Sequence, residues 1–109
     1  MNMDKDDHLN DVAIIGMEVR VPGAATLDRY WENVRNGVES ITLFDPEPPV
    51  VQNGVAHVKA APLLEDIDLF DAGFFGFNPR EAEGMDPQIR LFLDCAWTAL
   101  EGAGYDATQ

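Results

Sequence analysis

The residues that could act as nucleophiles or metal ligands are few. The chain of 109 residues has one cysteine, Cys95, and two histidines, His8 and His57. A thiol activated by a histidine could attack a carbonyl carbon, and the same residue types could bind zinc. Neither histidine has a partner at a metal-ligand spacing, so we expect single surface or core histidines. A lone cysteine excludes an intramolecular disulfide and any multi-cysteine zinc site.

Cys95 lies in a poor position for nucleophilic catalysis. A reactive thiol needs a depressed pKa, usually supplied by a helix N-terminus or a nearby cation, and it needs exposure. The helix predicted around Cys95 begins after Asp86, so the thiol lies more than two turns inside it. The adjacent Asp94 disfavours the thiolate. We predict that Cys95 is a small packing residue.

No other motif supplies a site. Residues 16–23 follow an apolar run, but they contain neither a P-loop nor a dinucleotide-binding glycine pattern, and Glu18 would repel a phosphate there. The carboxylates are so numerous that no pair can be chosen as acid and base. The residues themselves therefore predict no catalytic, cofactor-binding or metal site in this chain.

The charge balance restricts the partners. Twenty Asp and Glu against seven Lys and Arg give a net charge of −13, which repels nucleic-acid phosphates and anionic lipid. We expect no nucleic-acid and no membrane partner. Residues 1–10 lack the apolar region of a signal peptide and are predicted to be an acidic, flexible lead-in. The predicted compartment is the cytoplasm.

The first half of the chain predicts one strand and one helix. Residues 12–15 form a short β-branched run, typical of a strand buried on both faces, and the chain leaves it through Pro22 and Gly23. Residues 27–36 have one apolar face, with Thr26 as N-cap and Gly37 as the left-handed stop.

The middle of the chain predicts short extended pieces. Residues 39–44 are a strand candidate, and residues 55–64 contain a second one that ends at Pro62. Residues 45–54 are predicted to be a loop, because three of the residues 46–49 are prolines, which cannot donate to a ladder. Glycines at 73 and 76 interrupt any long helix in the acidic, aromatic stretch that follows.

Two capped helices are predicted near the C-terminus. The first runs from Pro79 to a stop at Gly84, with Asn78 and Glu81 forming a capping box. The second has Asp86 as N-cap and ends near residues 102–104. One apolar stripe follows this helix: Ile89, Phe92, Leu93, Ala96, Leu100 and Ala103. Cys95 lies on its flank, and Leu91 lies on the opposite side, which predicts cover on more than one face.

Three stretches in order carry a family resemblance. They are "DVAIIGMEVRVPGA", "LDRYWENVRNGVESI" and "LFDAGFFGFNPREAEGMDPQIRLFLDCAWTALEGAGYD". Together they resemble the N-terminal part of the β-ketoacyl synthase (ketosynthase) domain of modular type I polyketide synthases, over residues 11–109. The segments "PLLEDIDLFDA" and "RLFLDCAW" are similar to ketosynthases of mixed polyketide and nonribosomal peptide lines.

The resemblance implies an α/β protein, the N-terminal fragment of a thiolase-like fold with layers in the order α/β/α/β/α, incomplete in this chain. It implies a homodimer that loads an acyl chain onto a cysteine. The enzyme condenses this chain with a malonyl-type unit on an acyl carrier protein, and two histidines assist. Substrates travel on the phosphopantetheine of that carrier, with no cofactor in this chain. None of the family's catalytic residues matches a position here, and its nucleophile is expected beyond Gln109.

Some positions depart from the family pattern. Glu18 and Val21 stand where a small residue and an aromatic are usual, and Ile89 replaces a commonly polar residue. We expect only local effects on packing. The residues that match are expected to hold the loop and helix starts through caps and ion pairs: Arg80, Glu81, Asp86 and Arg90.

Two interpretations follow for the chain. In the first it is a truncated portion of a condensing enzyme, inactive alone, whose partners are the remainder of the domain, the acyl carrier protein and a second copy of the domain. In the alternative it is a non-catalytic remnant that serves as a docking or dimerisation element. Because a single buried strand lacks strong neighbours, residues 1–109 are predicted to expose apolar surface and to aggregate or stay partly molten.

Overall fold

The computed structural model describes residues 11–44 and 50–108. These residues form three α-helices and four short strands. The helices are α1 (Leu27–Asn36), α2 (Pro79–Gly84) and α3 (Pro87–Gly102). The strands are β1 (Thr42–Leu43), β2 (Val50–Gln52), β3 (Val55–His57) and β4 (Ala60–Ala61).

Helix α1 begins and ends where the sequence predicts. The Thr26 side chain accepts a hydrogen bond from the Arg29 N–H at 3.3 Å, which satisfies one free amide of the first turn. Gly37 ends the helix at φ 63°, a conformation that glycine adopts without a Cβ penalty. The predicted helix is confirmed at both ends.

The N-caps of α2 and α3 are also confirmed, whereas Gly84, the predicted stop of α2, is its last helical residue and Met85 is its C-cap. The Asn78 side chain accepts from the Glu81 N–H at 2.9 Å, and the Glu81 carboxylate accepts from the Asn78 N–H at 2.8 Å, which completes the capping box. Asp86 caps α3 by accepting from the Gln88 N–H at 2.8 Å. Pro87 occupies the first helical position, where its missing N–H costs no hydrogen bond.

The ion pairs expected of Arg80 and Arg90 are wrong for the part of the chain that the structure describes. Neither arginine forms an ion pair there, whereas Arg29 pairs with Glu32 at 3.2 Å. Glu81 and Asp86 are already engaged by backbone amides at the helix starts. The Arg90 Nε is buried without a hydrogen-bond partner among the described residues.

The strands form two separate antiparallel ribbons. One pairs Thr42 with Ala61, and the other is the β2–β3 hairpin, with Gln52 opposite Val55. The prediction of a loop over residues 45–54 is wrong for residues 50–52; residues 45–49 lie outside the described residues. The three prolines all precede β2, and the Asn-Gly pair that follows it suits a two-residue hairpin turn with positive φ at both positions.

The predicted buried strand at residues 12–15 is not formed. This run has no ladder partner among the described residues, and Val12 is 92% and Ile14 78% exposed. A strand is stabilised by hydrogen bonds to its neighbours, and neither described ribbon pairs with this run. The run therefore lies outside both sheets.

Burial is slight throughout. Only Ala24, Asn33 and Ala82 are buried among the described residues. The accessible surface is 9498 Å², whereas about 6000 Å² is expected for a compact protein of 12.0 kDa. No described helix packs against another helix or a strand, so each helix is covered only by irregular segments. The predicted exposure of apolar surface is confirmed.

Candidate functional site

Contacts from two irregular segments converge on α3. The segment of residues 16–20, which we call the crossing segment, lies on the C-terminal half of this helix. A Cβ built on Gly16 would collide with the Ala99 carbonyl oxygen and would lie 3.1 Å from the Ala103 Cβ. Only glycine therefore allows the main chain to approach the helix so closely.

The crossing segment runs antiparallel to α3. Gly16 lies over Ala99 and Ala103. Farther along the segment, Glu18 and Arg20 lie near Cys95, which is one helical turn closer to the start of α3 than Ala99. These side chains, together with Asp94, line an open groove of about 210 Å³ beside the thiol. Cys95 is half-buried in this groove.

The electrostatics of the groove keep Cys95 protonated. Its pKa is raised above the ordinary thiol value, first by burial, which penalises the thiolate, and then by the Glu18 carboxylate. Asp94 raises the pKa further, while the Arg20 guanidinium opposes these effects and lowers it. A thiol with this balance is a weak nucleophile at neutral pH.

An aromatic cluster covers another side of α3. Phe74 meets the Trp97 ring edge-to-face with centroids 4.6 Å apart, and Phe75 meets it at 6.3 Å. Phe75 also stacks on Phe70 at 5.2 Å. Rings in such arrangements contribute about 0.5–1.5 kcal/mol per pair beyond the area that they bury. The expected cover of α3 on more than one face is confirmed, although no side of the helix is fully buried.

A tight turn links the crossing segment to α1. Val21 and Ala24 exchange two backbone hydrogen bonds of 3.1 and 3.0 Å around Pro22 and Gly23, whose φ is 75°. The buried Asn33 side chain of α1 donates to the Gly23 carbonyl at 2.9 Å. This hydrogen bond holds α1 against the turn, and the turn fixes where the crossing segment ends relative to α1.

Neither histidine is placed near Cys95 among the described residues. His57 lies in β3, as the sequence predicts, and is exposed, whereas His8 lies outside the described residues. Among residues 11–44 and 50–108, no group of three His, Cys, Asp or Glu could hold a metal ion. In the same residues, no helix is long and apolar enough to cross a membrane.

Two residues beside Cys95 were not predicted from the sequence. Glu18 and Arg20 are two positions apart, a spacing that places two side chains on one face of an extended backbone, and this spacing was the available signal. It could not identify Cys95 as their neighbour, because α3 begins more than sixty residues later in the chain.

Comparison with known proteins gives a consistent result. Residues 9–109 match the family model described as β-ketoacyl synthase, N-terminal domain. The chain is 50% identical over 108 residues to a component of the phenolphthiocerol/phthiocerol polyketide synthase of Mycobacterium tuberculosis, covering 92% of this chain and 7% of that protein. It is 40% identical over 108 residues to polyketide synthase PksN of Bacillus subtilis, covering 92% and 2% respectively.

Solved structures agree with the sequence relatives. The ketosynthase from module 1 of the bacillaene synthase of Bacillus amyloliquefaciens is 45% identical with a TM-score of 0.71, over 85% of this chain and 17% of that one. The ketosynthase from module 6 of the bacillaene synthase of Bacillus subtilis is 40% identical with a TM-score of 0.73, over 88% and 17%. The predicted thiolase-like α/β class is confirmed as a partial fold. The described residues contain the two ribbons and three helices, not the layered sheets.

Proposed function

We propose, because this chain belongs to the β-ketoacyl synthase family, that residues 11–109 form the N-terminal portion of a condensing domain of a modular type I polyketide synthase. One observation carries the proposal: 45% identity and a TM-score of 0.71 extend over 85% of the chain against a ketosynthase. Residues 1–10 are assigned to an acidic lead-in. Membership of a mixed polyketide and nonribosomal peptide line stays a prediction.

The proposed reaction of the whole domain is a decarboxylative Claisen condensation. An acyl chain is held as a thioester on an active-site cysteine outside this chain. A malonyl-type unit on an acyl carrier protein loses carbon dioxide, and the resulting carbanion attacks the thioester carbonyl. A carbon–carbon bond forms and the cysteine leaves as thiolate. The domain acts as a cytoplasmic homodimer on phosphopantetheine-linked substrates.

The proposed role of this chain within the domain is structural. Burial and two carboxylates raise the pKa of Cys95, and the crossing segment covers part of the helix that carries it. These features suit a packing thiol better than an acyl acceptor. The chain alone is therefore proposed to be inactive, with the remainder of the domain supplying the nucleophile and the histidines.

A domain chimera tests this function. Residues 9–109 replace the matching region of the module 1 bacillaene ketosynthase, and acylation and condensation are measured with acyl and malonyl thioesters on a carrier protein. We expect a folded, active chimera, and we expect its Cys95→Ala version to be acylated to the same extent. The 109-residue chain alone should show no acyl adduct on Cys95 by mass spectrometry.

Four results would contradict the proposed function or the packing role of Cys95. Loss of acylation on Cys95→Ala, or a stoichiometric adduct on Cys95 in the isolated chain, would contradict the packing role. A folded, dimeric chimera without acylation would favour the alternative of a docking or dimerisation element. A chimera that does not fold would show that these residues do not replace the family's N-terminal portion.

A further inference from the structure

The chain contains two copies of one reactive tripeptide. Asn36, Gly37 and Val38 form the first, and the sequence Asn-Gly-Val recurs at residues 53–55. The nitrogen of a residue that follows asparagine can attack the side-chain amide, and glycine hinders this attack least because it has no Cβ. Both copies have the same residues at and after the asparagine, although Arg35 precedes the first and Gln52 the second, so the fold is the main difference between them.

The reaction needs only water. The glycine nitrogen attacks the Cγ of asparagine, the bond from Cγ to the amide nitrogen breaks, and ammonia leaves with the proton of the glycine amide. The product is a cyclic imide, and water opens it at either carbonyl. Opening yields aspartate or isoaspartate, so asparagine plus water becomes an acid plus ammonia, with no change of oxidation state.

The first copy is held by the end of α1. The Gly37 N–H donates to the Val34 carbonyl at 3.3 Å, and the Val38 N–H donates to the Asn33 carbonyl at 2.9 Å. Asn33 is itself buried, and its side chain holds the Gly23 carbonyl. Attack by the Gly37 nitrogen therefore requires unwinding of a capped helix end and disturbance of its anchor.

The second copy lies in the turn of the β2–β3 hairpin. Among the described residues, the Gly54 N–H takes part in no hydrogen bond, and no atom lies within 4 Å of a Cβ built there. The hairpin contacts no other helix or strand of the described chain, and its strands have three residues each. Isolated two-stranded hairpins are marginally stable, so this turn opens at low cost.

We propose that Asn53 is a site of spontaneous deamidation and isoaspartate formation, selected by the exposed hairpin turn, and that the helix end protects Asn36. Isoaspartate inserts an extra carbon into the main chain. The two-residue turn can then no longer hold Gln52 opposite Val55. Each conversion also adds one negative charge to a chain of net charge −13.

The test compares the two sites within one sample. The 109-residue chain is incubated in dilute, mildly alkaline buffer, and peptide mapping follows conversion of Asn53 and Asn36 over time, with isoaspartate distinguished by fragmentation. A second sample is incubated in guanidinium chloride. We expect Asn53 to convert several times faster than Asn36 without denaturant and at nearly the same rate as Asn36 with it.

A variant separates the effect of the fold from that of sequence. Asn33→Ala removes the anchor of α1, so conversion of Asn36 should accelerate while conversion of Asn53 stays unchanged. Equal rates at the two sites without denaturant, or faster conversion of Asn36, would overturn the proposal. A rate difference that persists in denaturant would also overturn it, because the fold would then not be its cause.

Discussion

Cys95 illustrates how neighbours decide the chemistry of a residue. It is the only thiol in the chain, yet Glu18 and Asp94 both raise its pKa, and burial raises it further. Arg20 lowers the pKa of Cys95, so the two charged residues of the crossing segment have opposite effects on this pKa. The charge of each neighbour therefore predicts the sign of a measurable change.

Glu18→Gln should lower the pKa of Cys95, and Arg20→Gln should raise it. Removing a negative charge makes the thiolate easier to form, and removing a positive charge makes it harder. The rate of alkylation by iodoacetamide rises as pH passes through the pKa, so the midpoint of the rate-against-pH curve should fall with Glu18→Gln and rise with Arg20→Gln. Glu83→Gln, on the exposed surface of α2, is the matched control. Midpoints that shift together would contradict the described groove.

Helix α3 depends on irregular segments rather than on other helices. The crossing segment covers one side through the glycine contact, and the aromatic segment of residues 70–77 covers another through Trp97. The first contact joins residues more than eighty positions apart in the sequence, and the second joins residues about twenty positions apart. The packing of the element that carries Cys95 is therefore sensitive to a single methyl group at Gly16.

Gly16→Ala should displace the crossing segment from α3. The added methyl group would collide with the Ala99 carbonyl and crowd the Ala103 side chain, and overpacking of this kind costs roughly 1–3 kcal/mol. Cys95 would lose cover and the influence of Glu18, so its alkylation at a fixed pH should be faster. Gly84→Ala is the control, because no atom of the described residues lies within 4 Å of a Cβ built there. Equal alkylation rates for Gly16→Ala and the parent chain would refute the contact.

The molecule as a whole is too open to bury a core. Its radius of gyration is 20.6 Å, against about 13 Å for a compact domain of this length. Large apolar side chains face solvent along its length, including Phe92 at 70% and Trp31 at 59% exposure. An apolar surface of this extent normally meets another protein surface.

The isolated chain should bind a hydrophobic dye strongly and self-associate. Exposed apolar groups bind 8-anilinonaphthalene-sulfonate and associate with one another. Dye fluorescence, together with light scattering as a function of concentration, measures both effects. The folded chimera serves as the control and should bind little dye. A monomeric chain that unfolds cooperatively, with protected amides in residues 12–17, would contradict this prediction.

Local features were predictable from the sequence. The caps at Thr26, Asn78 and Asp86, and the helix stop at Gly37, each depend on a side chain and a backbone within a few residues of one another. The family resemblance was predictable for a similar reason, since it is carried by contiguous stretches that the comparisons confirm. Strand β2 contradicts the loop prediction because the prolines lie before its ladder and the Asn-Gly turn after it closes a hairpin.

Only the tertiary structure decided what depends on distant parts of the chain. It placed Glu18 and Arg20 beside Cys95. It left residues 12–15 without a ladder partner in the described part of the chain, although their composition is typical of a buried strand. A β-branched run specifies a preference for extended backbone, but its hydrogen bonds and burial come from whichever segments lie alongside. The sequence by itself thus determined the helices and the family, whereas long-range contacts determined the environment of the thiol and which apolar residues face solvent.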